Sequence, residues 1–276
     1  MRRRQALAFL AALSAISKNV IWPYPVWAAT VQRWAVTADS GTGDKGQYAV
    51  AKVMAAMHSQ NKFDFALLGG DNIYNNGEIE KIGAVFEKPY QPLLSSGVKF
   101  YAVLGNHDIR TNQGKDEIKY FQMPGNYYSF TKGSVSFFAL DTNDLDEAQL
   151  RWLDGALAKA KTPWKVVYGH HPIYSSGHYG TNPAMVRRLV PVMKKYGVQL
   201  YLNGHEHDYE RTKSMNGIVY ITCGGGANVR PVGKSEFTAY SASVRHFLAV
   251  QNSDKMLHVQ AIDTEGKVMD EVMLKI

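Results

Sequence analysis

Cysteine is almost missing from this chain of 276 residues, which has a single one, Cys223. A lone cysteine excludes an intramolecular disulfide, so the fold has to be stabilised by its core or by bound metal ions. Cys223 follows an apolar run and precedes three glycines, a setting typical of a buried and inert thiol. Internal repeats, low-complexity tracts and linkers rich in proline, glycine or serine are also missing, which favours one domain over residues 30–276.

Long hydrophobic runs are missing as well, and the clearest apolar stretch is short and N-terminal. It extends from Ala6 to Ile16, whereas a membrane-spanning helix needs about 20 residues. Arginines at positions 2–4 precede it and Ala28-Ala29 follow it, which predicts an export signal over residues 1–29. A cleaved signal is preferred over an uncleaved anchor or an N-terminal helix. The mature protein is then periplasmic or secreted and has no transmembrane helix.

The basic residues of the predicted export signal bear both on the export route and on the net charge of the chain. Arg3-Arg4 before an apolar run fits a twin-arginine signal, which directs the export of folded proteins. The same segment also fits an ordinary signal, which directs the export of unfolded proteins. The formal net charge is +7, but four of the 31 basic residues lie at positions 2, 3, 4 and 18. The remaining 27 basic residues face 24 acidic ones. The basic excess therefore belongs mostly to the export signal, and no nucleic-acid-binding domain is predicted.

Short apolar segments alternate with amphipathic ones through the rest of the chain. A helix is predicted from about Glu147, with Asp146 as its cap, and another around Met185 to Met193. The first half alternates strands and helices and the last third is mostly strands, which predicts an α/β fold with more than one sheet. The predicted strands are Arg33–Ala38, Phe63–Leu68, Lys99–Leu104, Val135–Leu140, Lys165–Tyr168, Gln199–Leu202, Ile218–Thr222, Phe247–Gln251, Leu257–Ile262 and Val268–Leu274.

Five predicted strands are followed directly by carboxylate, amide or imidazole side chains. In open α/β sheets, ligand sites gather at the carboxyl ends of the strands, so these side chains are expected to meet. Any one of these motifs alone is a common turn or cap, but five in order indicate a metal site. Their chemistry suits iron, manganese or zinc, and seven ligands suit two ions that share a carboxylate. The seven candidates are Asp39, Asp71, Tyr74, Asn106, His170, His205 and His207.

These motifs, taken in order, resemble the calcineurin-like metallophosphoesterases. They are Asp39, Gly-Asp71-x-x-Tyr74, Gly-Asn106-His107-Asp108, Gly-His170 and Gly-His205-x-His207. Gly-Asp71-x-x-Tyr74 narrows the resemblance to the purple acid phosphatases, and residues 169–226 look like the tartrate-resistant animal type. The resemblance covers roughly residues 33–226. It implies a four-layer αββα sandwich of two mixed sheets, with the site at the edge of the sheets.

The same resemblance implies a role for each candidate. A ferric ion would be held by Asp39, Asp71, Tyr74 and His207. A divalent ion (iron, zinc or manganese) would be held by Asp71, Asn106, His170 and His205, so that Asp71 bridges the two. His107 and His178 match the histidines that contact the phosphate and the leaving group, although the spacing from His170 to His178 is one residue shorter than in the animal enzymes. Asp108 is expected to orient His107 through a hydrogen bond.

The function implied is that of an exported acid phosphatase with two metal ions. Residues 30–276 would form its catalytic domain and would hydrolyse small phosphate monoesters by attack of a metal-bound hydroxide. A phosphodiesterase for nucleotides or lipid headgroups, with the same metals, is an alternative. A non-catalytic phosphate- or metal-binding protein is another, but it would not need the leaving-group acids His107 and His178. The natural substrate, the second metal and the oligomeric state stay open.

Overall fold

The computed structural model of the protein describes residues 31–276, so the predicted export signal at residues 1–29 lies outside the described residues. The strands are β1 (Gln32–Thr37), β2 (Phe65–Leu68), β3 (Lys99–Ala102), β4 (Tyr128–Lys132), β5 (Val135–Ala139), β6 (Trp164–Tyr168), β7 (Leu200–Asn203), β8 (Tyr209–Thr212), β9 (Val219–Cys223), β10 (Thr238–Ala242), β11 (His246–Asn252), β12 (Met256–Asp263) and β13 (Val268–Lys275). The α-helices are α1 (Lys45–Gln60), α2 (Lys88–Leu94), α3 (Lys115–Tyr120), α4 (Glu147–Lys159) and α5 (Pro183–Lys195).

The strands form two mixed sheets. The first has the order β13-β12-β11-β1-β2-β3 and the second the order β10-β8-β9-β7-β6-β5-β4. In the first sheet β1, β2 and β3 are parallel, and Thr37 pairs with Leu68, which pairs with Ala102. In the second sheet β5, β6, β7 and β9 are parallel. Because the parallel strands end at matching registers, the loops that follow them leave each sheet at the same edge.

Aromatic side chains fill the space between the two sheets. The rings of Trp34 on β1 and Phe137 on β5 meet edge to face, with centroids 5.1 Å apart. Phe65 on β2 packs against the same Phe137 at 5.4 Å. All three are buried, and the Trp34 Nε1–H donates to Asn252 Oδ1 at 2.9 Å. Full burial of such a side chain contributes about 1.5–3 kcal/mol, so this layer joins the sheets face to face.

Helices cover the outer faces of both sheets. Helix α1 begins at Asp44, whose carboxylate accepts from the backbone N–H groups of Gly46 and Gln47, and it buries Met54 and Met57. Helix α4 begins at the predicted cap, and the Asp146 carboxylate accepts from Gln149 N at 2.7 Å. Helices α4 and α5 bury their apolar residues on the second sheet in one cluster that includes Leu153, Leu157, Leu189 and Met193. The predicted αββα sandwich is therefore confirmed.

All ten predicted strands form, with ends shifted by no more than two residues. Sequence analysis missed β4, β8 and β10. Strands β4 and β10 lie at the two edges of the second sheet and are only partly buried, so they lack the apolar runs of central strands. The thiol of Cys223 is fully buried at the end of β9, and burial raises its pKa above its usual range, as expected for an inert thiol. Among residues 31–276, no helix has the length and apolar character needed to cross a bilayer.

Candidate metal centre

The seven predicted ligands meet at one edge of the sandwich. The first sheet provides those from the loops after β1, β2 and β3, and the second sheet provides those from the loops after β6 and β7. The site therefore lies where the carboxyl ends of parallel strands from both sheets face each other. The first sheet supplies Asp39, Asp71, Tyr74 and Asn106, and the second supplies His170, His205 and His207.

One group of ligand atoms lies around the Asp39 carboxylate. Tyr74 Oη is 3.3 Å from Asp39 Oδ1 and 3.1 Å from His207 Nε2. His207 Nε2 is 3.4 Å from the same Asp39 oxygen. Two ligands of one ion, each bonded at about 2.1 Å, lie about 3.0–3.4 Å apart at tetrahedral or octahedral angles. These distances therefore fit the coordination sphere of one metal ion. A carboxylate oxygen of Asp71 lies within 4.8 Å of the ligand atoms of Asp39 and His207 and would complete that sphere.

A second group lies around His170. Its Nδ1 faces the carbonyl oxygen of Gly69 at 2.9 Å, so Nδ1 carries the proton and donates it, and Nε2 keeps a lone pair. Three further atoms surround that lone pair: Asn106 Oδ1 at 3.1 Å, His205 Nδ1 at 3.1 Å and Asp71 Oδ1 at 3.5 Å. Imidazole nitrogens, a carboxylate oxygen and an amide oxygen that converge in this way form a set of donor atoms that can bind a metal cation.

Asp71 is shared by both groups. Its Oδ1 faces His170 and accepts from the backbone N–H of His107 at 3.0 Å, while the carboxylate also contributes to the group with Asp39 and His207. Carboxylate, phenol, amide and imidazole are the donor types that iron, zinc and manganese accept. The residues present therefore fit two metal ions with Asp71 between them.

The backbone at the site is held in an unusual conformation. Asp39, Asp71 and His205 have φ of 54°, 53° and 69°, in the left-handed region that non-glycine residues rarely adopt. Each such residue costs about 1–3 kcal/mol and persists only when its surroundings hold it. Two glycines allow the close approach that this requires, because a Cβ on Gly204 would collide with Asp39 Oδ2 and one on Gly105 with Asp71 Oδ1.

The protonation states agree with metal binding. Burial, followed by the nearby His170, lowers the pKa of His205 to about 2, so its imidazole is neutral, the form that binds a metal. Burial and the carboxylates of Asp39 and Asp71 raise the pKa of Tyr74 well above its usual range. The Tyr74 phenolate would therefore form only beside a strongly charged cation.

The two predicted catalytic histidines flank the ligands from opposite sheets. His107 Nε2 is 3.9 Å from Asp71 Oδ2, and its ring lies 4.6 Å from the ring of Tyr74. His178 is exposed on the loop after β6, and its ring packs on Tyr179 at 4.8 Å. Tyr179 in turn stacks on the predicted ligand His205 at 4.2 Å. His107 thus lies beside the predicted ligands, whereas the ring of Tyr179 lies between His178 and His205.

Asp108 differs from its predicted role. His107 Nδ1 faces the carbonyl oxygen of Asn75 at 2.6 Å, whereas the buried Asp108 carboxylate accepts from the backbone N–H groups of Asn72, Ile73 and Gly105. Asp108 therefore holds together the loops that carry Asp71 and Asn106. Asp108 directly follows His107 in the sequence, so we expected a hydrogen bond between the two. The Asp108 side chain points back under the loop instead.

Other residues at the site were not among those predicted from the sequence. His171 lies with His170 and His205, and its Nδ1 is 2.8 Å from Thr142 Oγ1. Its position next to a predicted ligand was the only signal. Arg230, for which the sequence carries no signal, lines a cleft of about 570 Å³ together with Lys81, Asn228 and the predicted site residues Tyr74, His107 and His207. The cleft is thus open to an anion beside the predicted metal ligands.

Comparison with known proteins gives matches to phosphoesterases. The family model described as calcineurin-like phosphoesterase matches residues 33–209. Tartrate-resistant acid phosphatase type 5 of Oryctolagus cuniculus is 26% identical over 283 residues, which cover 87% of each chain. Purple acid phosphatase 7 of Arabidopsis thaliana is 28% identical, and the match covers 72% of each chain.

Solved structures share the fold at lower identity. A purple acid phosphatase from yellow lupin (Lupinus luteus) superimposes with a TM-score of 0.81 at 20% identity, over 92% of this chain and 55% of that one. GAP50, the anchor in the inner membrane complex of Plasmodium, superimposes with a TM-score of 0.80 at 22% identity, over 89% of each chain. At these identities the likeness concerns the fold alone.

Proposed function

This chain belongs to the calcineurin-like phosphoesterase family, and we propose that it is an acid phosphatase with two metal ions that hydrolyses phosphate monoesters. The predicted family and the predicted class of enzyme, a hydrolase of phosphate esters, are confirmed by the family match and by the phosphatase relatives. The observation that supports the narrower proposal is the shared carboxylate of Asp71, which lies between two sets of converging ligand atoms.

The proposed cofactors are Fe(III) and a divalent ion, either iron, zinc or manganese. Asp39, Asp71, Tyr74 and His207 would hold the ferric ion, and Asp71, Asn106, His170 and His205 the divalent ion. When bound, two such cations supply Lewis-acid activation of water and offset the charge of the phosphate. Tyr74 supports the ferric assignment, because its buried phenol loses its proton only to a highly charged ion.

The protein side chains would then bind and orient the ester. Arg230 and Lys81 line the cleft beside His107 and attract the anionic phosphate. His107, fixed by its contact with the Asn75 carbonyl, faces the phosphate and can hydrogen-bond to its oxygens. His178 in its cationic form donates its proton to the leaving oxygen as the bond from phosphorus to that oxygen breaks.

The first experiment is a visible spectrum with metal analysis of aerobically purified protein. We expect two metals per chain and a violet band that is lost in Tyr74→Phe but kept in the control Tyr179→Phe, since Tyr179 lies outside both ligand groups. A colourless protein with two metals would remove the ferric ion and the Tyr74 phenolate from the proposal. A protein that cannot be loaded with metal would refute the dinuclear site.

Substrate panels separate the alternatives. A monoesterase should hydrolyse 4-nitrophenyl phosphate far faster than bis(4-nitrophenyl) phosphate, and the reverse ratio would favour the phosphodiesterase. A binding protein would hold phosphate without turnover. His107→Ala should lower kcat by roughly 10²- to 10⁴-fold while both metals stay bound. If the metals were lost together with the activity, His107 would not have the role proposed here.

Export and domain organisation belong to the same proposal. The sequence of residues 1–29 supports an exported protein whose residues 30–276 form one catalytic domain. Cell fractionation should find the cleaved protein outside the cytoplasm. Replacing Arg3 and Arg4 with lysine should block export if the route is twin-arginine, and should leave it unchanged if the route is the ordinary one.

A further inference from the structure

Glu206 lies between two predicted metal ligands in the sequence, yet its side chain points away from the metal site. Its carboxylate is fully buried, with 0% of the residue exposed. The predicted ligands on either side, His205 and His207, turn toward the two ligand groups instead. A buried carboxylate is costly unless it is hydrogen-bonded, so the partners of this one indicate its purpose.

All the hydrogen bonds that the Glu206 carboxylate accepts come from the loop that carries His178. Oε2 accepts from the backbone N–H of His178 at 2.9 Å. Oε1 accepts from Tyr179 N at 2.6 Å, from Gly180 N at 3.2 Å and from Ser175 Oγ at 3.0 Å. Three consecutive backbone N–H groups around one carboxylate fix the course of the loop at the residue that bears the imidazole.

The loop rests directly on this carboxylate. A Cβ on Gly177 would lie 2.7 Å from Glu206 Cδ and 2.8 Å from Asp208 Oδ2, so the position tolerates no side chain without movement of the loop. The backbone N–H of Gly177 donates to Ser175 Oγ, which itself donates to Glu206. The carboxylate thus connects the turn after β7, which carries two predicted ligands, to the loop after β6.

We propose that Glu206 is a positioning residue that sets the location of His178 relative to the metal ligands His205 and His207. This inference rests on the proposed function, because it assumes that His178 protonates the leaving group. The His178 ring is exposed and packs on the neighbouring Tyr179, so its place depends on the course of the backbone that carries both residues. Glu206 holds that backbone by hydrogen bonds from the turn that also carries His205 and His207.

The reaction step affected is the departure of the alcohol. As a water oxygen bonds to phosphorus and the bond from phosphorus to the ester oxygen breaks, a proton passes from the His178 imidazolium to the ester oxygen. The attacking water loses a proton to solvent, and the neutral imidazole later regains one from solvent. A 4-nitrophenolate leaves readily without this proton, whereas an alkoxide does not. A displaced His178 should therefore slow the hydrolysis of alkyl phosphates selectively.

The test compares kcat for glycerol phosphate and 4-nitrophenyl phosphate in the metal-loaded variant Glu206→Gln. The glutamine keeps the size of the side chain and one acceptor oxygen, but its NH₂ group would face a backbone N–H. We expect kcat for the alkyl ester to fall on the order of 10- to 100-fold, part of the full effect of a general acid, and kcat for the aryl ester to fall by less than about threefold. His178→Ala should show the same selectivity, and the double variant should be no worse than His178→Ala alone.

Glu210→Gln is the matched control. Glu210 is also buried and binds the same loop, but it accepts from Ser176 N and Ser176 Oγ rather than from His178. Its loss should affect both esters equally. If Glu206→Gln does not fold, Gly177→Ala offers a second route, because it pushes the loop off the carboxylate and should produce the same selective loss.

The outcomes are distinct. Equal loss for both esters, no loss for either, or loss of metal in Glu206→Gln would overturn the positioning role. Failure of the wild-type protein, loaded with two metals, to hydrolyse either ester would instead overturn the proposed function.

Discussion

The buried carboxyl of Glu117 on α3 should make the stability of this protein fall as the pH rises. Glu117 is 0% exposed, and its Oε2 accepts a long hydrogen bond, of 3.3 Å, from Asn72 Nδ2. The same Asn72 nitrogen donates to Asp108, so two buried carboxyls share one donor behind Asp71. Burial raises the pKa of Glu117 from 4.5 to about 7 and outweighs the hydrogen bonds with Asp108 and Asn72, which lower it, while the charge of Asp71 raises it further.

The direction and size of the change in folding stability with pH follow from the pKa values of Glu117 in the folded and the unfolded protein. Below pH 4.5 Glu117 is protonated in both the folded and the unfolded protein, and the stability linked to it is fully present. Between pH 4.5 and about 7 the unfolded chain ionises while the folded protein does not, so stability is lost. Each pH unit in this window is worth about 1.4 kcal/mol, which gives a total of about 3 kcal/mol. For a domain of this size that corresponds to roughly 6–12 °C in Tm.

Glu117→Gln tests this, because glutamine resembles the protonated acid and cannot ionise. Melting curves between pH 5 and 8 should show similar Tm values for both proteins at pH 5 and a more stable variant at pH 8. In metal-loaded protein the difference should be smaller, since bound cations offset the charge of Asp71. Glu78→Gln is the control: Lys81 lowers the pKa of Glu78 to about 2, so Glu78 stays ionised throughout. If the Glu117→Gln and wild-type curves run parallel in metal-free protein, the raised pKa is refuted.

Further predictions concern the metals, the close-packed glycines and the cleft. Chelation should lower the free energy of unfolding by about 4 kcal/mol for each ion removed, or about 8 kcal/mol for both, relative to protein in metal at a thousandfold excess over Kd. An unchanged Tm in differential scanning fluorimetry would contradict a metal-stabilised fold. Gly204→Ala should lose metal in a metal analysis, because the added Cβ would collide with Asp39. The control Gly155→Ala lies in open space on α4. It should keep both metals, and its free energy of unfolding in denaturant should rise by about 0.5–1 kcal/mol. Arg230→Gln should raise KM about tenfold and leave kcat little changed, because a charge-assisted contact to phosphate contributes about 1.5 kcal/mol. If steady-state kinetics show that only kcat falls, Arg230 acts in the chemical step instead.

The fold alone does not decide catalysis. A purple acid phosphatase and an anchor protein superimpose on this chain with almost equal TM-scores. What supports an enzyme here is the set of side chains at the edge of the sheets, where Asp71 links two groups of ligand atoms. Function on a common scaffold is carried by such sites.

The sequence alone was sufficient for the elements that local pattern encodes. Apolar runs such as Val135–Leu140 marked the fully buried strands, and Asp146 marked the start of α4, because period and capping depend on residues close together in the chain. The ligand motifs were visible for the same reason, since each lies within a few residues of a strand end. Strands β4 and β10, which lie partly exposed at the edges of the second sheet, carry no such apolar run and were missed.

Only the tertiary structure decided how these motifs act together. It brought Asp39 from one sheet to His207 from the other, a contact between residues far apart in the chain that depends on the packing of two aromatic-filled sheet faces. It also turned the carboxylates of Asp108 and Glu206 away from the neighbouring metal-site residues and onto the backbone of distant loops. Local sequence sets which side chain stands at a strand end, but the direction of a buried carboxylate is set by the N–H groups that the whole fold brings to it.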